Sequence, residues 1–176
     1  VDGYVSNGSV GNFTLLNVRP GGTDAAIANA TPAGTRIYFT ANDGTSGTEL
    51  WSTDGATAVE IDIRAGGNAS TPNALTAFGN IVVFEANKGT AGVEPFVSNG
   101  TAVGTFILAN IQSGGNSSDP TESEYVPALG VVFFDADAAG AVGRELYMTN
   151  GTTVGTVLVE NLNTGGGGGN DSNPQD

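Results

Sequence analysis

The sequence predicts an all-β protein built from tandem repeats, and three recurring features carry that expectation. An aromatic residue followed by a turn appears four times: Tyr4-Val5-Ser6-Asn7-Gly8, Trp51-Ser52-Thr53-Asp54-Gly55, Phe96-Val97-Ser98-Asn99-Gly100 and Tyr147-Met148-Thr149-Asn150-Gly151. The aromatics are spaced by 47, 45 and 51 residues. A Gly-Gly pair follows each of them, at Gly21-Gly22, Gly66-Gly67, Gly114-Gly115 and Gly165-Gly166. An apolar run precedes three of them in one register, at Ile37-Tyr38-Phe39, Val82-Val83-Phe84 and Val132-Phe133-Phe134. Self-similarity at a period of 20–50 residues marks a repeat architecture.

Each unit reads as four short strands. The first is typified by 104–111, where β-formers alternate with smaller residues. A loop rich in Gly, Asn and Pro follows, as in 66–72. The second strand, 74–78, turns at Gly79-Asn80 into the third, 81–86, because a Gly-Asn pair between apolar runs is a hairpin signal. A Gly-containing loop leads to the fourth strand, which ends at the aromatic. The Asn-Gly or Asp-Gly that follows predicts a type I′ turn, so strand four should pair with strand one of the next unit.

Four antiparallel strands in about 48 residues match a propeller-like blade. An open β-repeat array or solenoid is the alternative. The predicted organisation is one β-repeat domain over 1–164, with three full repeats and a partial repeat at each end. A Gly/Asn-rich tail or loop occupies 165–176. The array is cut out of phase with its repeat, which predicts open strand edges at both ends that another chain or further sequence must cover.

Composition narrows the function classes. Eighteen acidic residues against five basic ones give a net charge of −13, and Lys88 is the sole lysine. Such a chain repels phosphate backbones and anionic headgroups, so nucleic acid is not an expected partner. No apolar run approaches the 18 residues of a membrane span, so membrane insertion is not expected. There is no Cys and no His, which removes thiol chemistry, His-dependent triads and ordinary zinc sites. Carboxylate pairs at Asp135/Asp137 and Glu122/Glu124 are the only acid–base candidates, and in a β protein they read as solvated. The chain reads as no enzyme. It begins at Val1 without a charged and then apolar leader, so an exported protein would already have lost its signal peptide, and the start could equally be a fragment boundary.

The repeat at Gly47-Thr48-Glu49-Leu50-Trp51-Ser52-Thr53-Asp54-Gly55 resembles the ELWxxDGT repeat of large secreted or surface-associated bacterial proteins. Looser copies run from Val93 to Thr101 and from Arg144 to Thr152. They depart from the pattern where Asn replaces Asp in the turn and Pro95 replaces Leu. The resemblance implies an extracellular repeat protein with a propeller-like fold, and no defined activity.

Two kinds of site remain. The loops before strand four carry an oxygen ligand at each end: Asp43 and Glu49, Asn87 and Glu94, Asp137 and Glu145. Such Gly-rich loops could hold Ca²⁺. The alternative is that each Glu accepts backbone N–H groups of a tight turn and keeps it folded, and then no cofactor is called for. Asn-x-Ser/Thr acceptors for glycans lie in predicted loops at Asn7, Asn12, Asn29, Asn68, Asn99, Asn116 and Asn150, with one more at Asn170 in the tail. The expected function is a structural or adhesive component of the cell surface, polymerising with copies of itself by strand exchange. The alternatives are a carbohydrate-binding propeller fragment using Tyr4, Trp51, Phe96 and Tyr147, which would make glycans a partner, and a calcium-stabilised spacer of a large adhesin.

Overall fold

The computed structural model describes residues 3–6, 13–21, 23–138 and 143–160. Among them there is no helix, and the strands form four antiparallel sheets, none closed into a barrel. A two-stranded sheet pairs β1 (Gly3–Ser6) with β2 (Phe13–Leu16). Three four-stranded meanders follow. The first contains β3 (Ala28–Ala33), β4 (Arg36–Asn42), β5 (Thr48–Thr53) and β6 (Ala58–Ile61). The second contains β7 (Asn73–Phe78), β8 (Ile81–Asn87), β9 (Val93–Ser98) and β10 (Thr105–Ile107). The third contains β11 (Thr121–Val126), β12 (Val131–Ala138), β13 (Gly143–Thr149) and β14 (Val157–Leu158). The three meanders are called the first, second and third sheets below. The predicted tail at 165–176 lies outside the described residues.

Strand four of each sequence unit does pair with strand one of the next, as β9 does with β10. The sheet therefore straddles the sequence unit, and its boundary falls in the Gly-Gly loop. Neighbouring sheets are joined by packing rather than by that strand pair. Tyr38, Leu50 and Ile61 of the first sheet share a core with Val82, Phe84 and Phe96 of the second. Val83, Val97 and Leu108 of the second share another with Val132 of the third. Leu16 and Val18, at and just beyond β2, pack with Phe39 and Trp51 of the first. Each sheet thus lays one face on the next in chain order. The first strands also meet: Thr76 Oγ1 of β7 bonds the carbonyl of Ser123 in β11 at 3.2 Å.

Each meander repeats one aromatic pair across its two central strands. Phe39 faces Trp51, Phe84 faces Phe96 and Phe134 faces Tyr147, with ring centroids 6.3, 5.8 and 5.7 Å apart. These pairs sit where side chains from both strands share a buried face, which favours large rings.

The turns depart from the sequence expectation in one respect. Gly79-Asn80 closes a two-residue hairpin with Phe78 opposite Ile81, as predicted, and Gly79 has φ +62°. The Asn-Gly turn is longer. Ser98 stands opposite Thr105, so six residues form the loop, and only Gly100 takes a positive φ. Asn99 Oδ1 accepts bonds from the Thr101 N–H at 3.1 Å and from Thr101 Oγ1 at 2.7 Å. The side chain replaces the left-handed backbone that a type I′ turn demands. Asn150 and Thr152 repeat the arrangement.

Candidate functional site

The three glutamates that precede the aromatics are the most distinctive polar feature. Glu49, Glu94 and Glu145 are all fully buried, and each stands opposite an alanine on the neighbouring strand: Ala41, Ala86 and Ala136. The small partner leaves room for the carboxylate. Two residues before each Glu lies a glycine with a left-handed φ: Gly47 at +82°, Gly92 at +71° and Gly143 at +72°. A Cβ on Gly47 would stand 2.7 Å from the backbone nitrogen of Ala69, and one on Gly92 would overlap the Asn116 carbonyl. The strand therefore enters the sheet pressed against the next Gly-Gly loop, an approach that only glycine permits.

That loop supplies the donors. Glu49 accepts the N–H of Ile63 at 2.9 Å, the N–H of Ser70 at 2.6 Å and the Ser70 hydroxyl. Glu94 accepts the N–H of Ile111 at 3.0 Å, the N–H of Gln112 at 3.2 Å and the Ser118 hydroxyl at 2.6 Å. Glu49 and Glu94 thus accept backbone N–H groups, and these come from the loop that follows, 14 to 24 residues away. They also end the preceding strand. The predicted strand 104–111 pairs only over Thr105–Ile107, because the Ile111 and Gln112 amides turn to Glu94.

Each serine then reaches the next sheet. The Ser70 carbonyl accepts the Asn87 N–H at 2.8 Å, and the Ser118 carbonyl accepts the Asp137 N–H at 2.7 Å. Glu–Ser–sheet is thus a latch, repeated between the first and second sheets and between the second and third. Burial raises the carboxyl pKa of Glu49 above its ordinary value, and the bonds from Ser70 and Ile63 offset that only in part. Burial raises Glu94 likewise, against bonds from Ser118, Ile111 and Gln112. A buried carboxylate surrounded by amide and hydroxyl donors is an acceptor hub for the loop.

The calcium-ligand pairs are not brought together. Alternate residues of a strand point to opposite faces. Glu94 shares a face with Ala86, so Asn87 points the other way. The same parity separates Asp137 from Glu145. Asn87 Oδ1 instead accepts the N–H of Gly89 at 2.7 Å. Asp43 closes its own turn, taking the N–H groups of Thr45 at 2.7 Å and Ser46 at 2.8 Å. Among the described residues no three acidic side chains converge on a point that could hold a metal ion.

The other sequence candidates have mixed placements. Trp51, Phe96 and Tyr147 are buried in the sheet cores and cannot stack on a sugar, whereas Tyr4 is exposed. Asp135 is not solvated: it is 3% exposed and pairs with Arg144 and Thr121. Asn68, Asn99, Asn116 and Asn150 are exposed in loops, and Asn29 is exposed within strand β3 rather than in a loop. Asn7, Asn12 and Asn170 lie outside the described residues. Sequence reasoning missed the serines of the latch, although Ser70 and Ser118 each stand two residues before a proline in the same loop. No protein family, curated protein or solved structure was found to match this chain.

Proposed function

We propose that the chain is a structural repeat module of an extracellular or cell-surface protein, with its sheets arranged as propeller-like blades, and that it builds assemblies of itself. The observation that carries this reading is the stack of repeated sheets, each tied to the next by a buried Glu and a loop serine. β1 pairs with β2 on one side, and no other described strand pairs with it. Beside β1 runs an apolar groove of about 150 Å³, lined by Leu16, Ile27, Ile37 and Phe39 among others. In the four-stranded sheets the corresponding edge is occupied by a second strand, as β4 occupies the edge of β5. An edge that no other described strand pairs with, next to the exposed Ile37, is a template for strand addition. The acidic, polar surface, the resemblance to ELWxxDGT repeats and the exposed glycan acceptors Asn68, Asn99, Asn116 and Asn150 support an extracellular setting.

Electron microscopy of the purified protein tests the reading. Regular filaments or layers are expected. Isolated particles at every concentration would overturn it.

A further inference from the structure

The stack of sheets uses one interface repeatedly, and among the described residues the two-stranded sheet and the third sheet each leave one half of it exposed. The half contributed by the preceding sheet centres on a residue at or just past its last strand. In the first sheet this is Ile61, opposite Leu50. In the second it is Leu108, whose N–H bonds the Pro95 carbonyl at 2.8 Å. In the third it is Val159, whose N–H bonds the Leu146 carbonyl at 2.9 Å. Ile61 and Leu108 are each 2% exposed, whereas Val159 is 43% exposed. Val157 beside it is 40% exposed.

The half contributed by the following sheet centres on the repeat aromatic. Trp51, Phe96 and Tyr147 are 8%, 2% and 9% exposed, whereas Tyr4 is 65% exposed. Leu15, opposite Tyr4 in the two-stranded sheet, is also exposed. Ile61 of the first sheet and Phe96 of the second meet in one core, as Leu16 and Val18 meet Trp51, while between the second and third sheets Leu108 packs with Val132 and Tyr147 packs beside Phe134 and Ile111.

We propose that a second copy of this chain seats the Tyr4–Leu15 face of its two-stranded sheet on the Val157–Val159 face of the third sheet. The contact continues the internal stacking, so Tyr4 of one copy takes the place against Val159 that Phe96 takes against Ile61. It joins unlike faces and is heterologous, so it generates a ring if the rotation closes and a filament if it does not. This inference rests on the self-assembly reading and adds the surfaces that meet.

The absence of cysteine makes the test direct. Tyr4→Cys and Val159→Cys each introduce one thiol at an exposed position. The two variants are mixed with a short bis-maleimide, at a concentration where sedimentation shows assemblies. Covalent dimers are expected from the mixture and not from either variant alone, and a ladder is expected from the double variant. Assemblies that yield no cross-link in the mixture would overturn these surfaces while leaving self-assembly standing. Cross-linking of Tyr4→Cys alone would mean like faces meet, and would also overturn them. So would a bridge within a single chain of the double variant, which would show the chain covering its own face. A protein that sediments as a monomer throughout would remove both the surfaces and the assembly.

Discussion

The Ser118 hydroxyl donates to the Glu94 carboxylate at 2.6 Å, across 24 residues of chain, while the carbonyl of the same serine accepts the Asp137 N–H at 2.7 Å. One residue in a loop thus bonds two successive sheets. Ser70 does the same between Glu49 and Asn87. The repeat of this arrangement explains how a Gly-rich linker holds its sheets in a fixed order. The loop needs no regular structure of its own, because a buried carboxylate organises its amides.

Removing the hydroxyl should therefore weaken the stack more than its size implies. Ser118→Ala leaves a buried carboxylate oxygen short of a donor, which costs about 1–3 kcal/mol. Ser113→Ala, at an exposed position of the same loop, should stay within about 0.5 kcal/mol of the parent. Urea unfolding measures both. Equal midpoints for the two variants would remove the latch from the energetics of the fold.

Stability should peak in mild acid. Glu49 and Glu94 carry carboxyls raised above 4.5 by burial, and burial raises Glu60 and Glu85 in the same direction. Between 4.5 and the raised values the folded chain holds protons that the unfolded chain has released. Stability therefore falls as pH rises through that window. Asp135, Asp43 and Asp54 act in the opposite sense. Burial would raise Asp135, but bonds from Arg144 and Thr121 bring it below 3.8. Burial would likewise raise Asp43, and the bonds from Thr45 and Ser46 outweigh it. Bonds from Thr57 and Ala56 lower Asp54. What these three contribute is lost as pH falls below 3.8. Thermal unfolding from pH 3 to 8 should show the maximum between these limits. Glu49→Gln/Glu94→Gln should flatten the alkaline side of that curve. An unchanged slope there would assign the pH dependence to Glu60, Glu85 and the general negative charge.

Two glycines with the same backbone conformation should respond differently to alanine. Gly114 has φ +83° with nothing within 4 Å of where a Cβ would stand, whereas Gly92 has φ +71° and its Cβ would overlap the Asn116 carbonyl. Gly114→Ala bears only the cost of the left-handed conformation, about 1 kcal/mol. Gly92→Ala adds the displacement of a neighbouring backbone, for a total of about 3 kcal/mol. Comparable melting temperatures would mean the loop yields freely at Asn116.

Much of this was legible in the sequence, for reasons that differ by element. Strands β7, β8 and β9 follow from apolar runs and the Gly79-Asn80 turn, because period-two burial and turn chemistry act locally. The pairing of strand four with strand one of the next unit was legible from the turn between them, as β9 with β10 shows, whereas the packing that joins neighbouring sheets was not. The bulges in each first strand were also hidden. Asn29, Ala74 and Glu122 take positive φ there, and none is glycine. Tertiary contact between adjacent first strands overrides local preference at those positions. The glutamates announced themselves by their spacing, but their partners lie 14 to 24 residues away, and nothing local identifies which amides they take.

Calcium should leave the first sheet's stability unchanged. Both oxygens of Glu49 already accept donors from Ile63 and Ser70, and Asp43 is occupied by Thr45 and Ser46. A calcium ion would have to displace these bonds. Trp51, the only tryptophan, is buried two residues from Glu49 and reports on this sheet. A site with a Kd of about 0.1 mM would add about 1.4 kcal/mol at 1 mM calcium. That would raise the Trp51-detected melting temperature by about 3–6 °C. The expected result is a shift below ~1 °C on adding calcium or a chelator. A rise of several degrees would show that the loops rearrange around the ion, and would restore the calcium-stabilised spacer as the better reading.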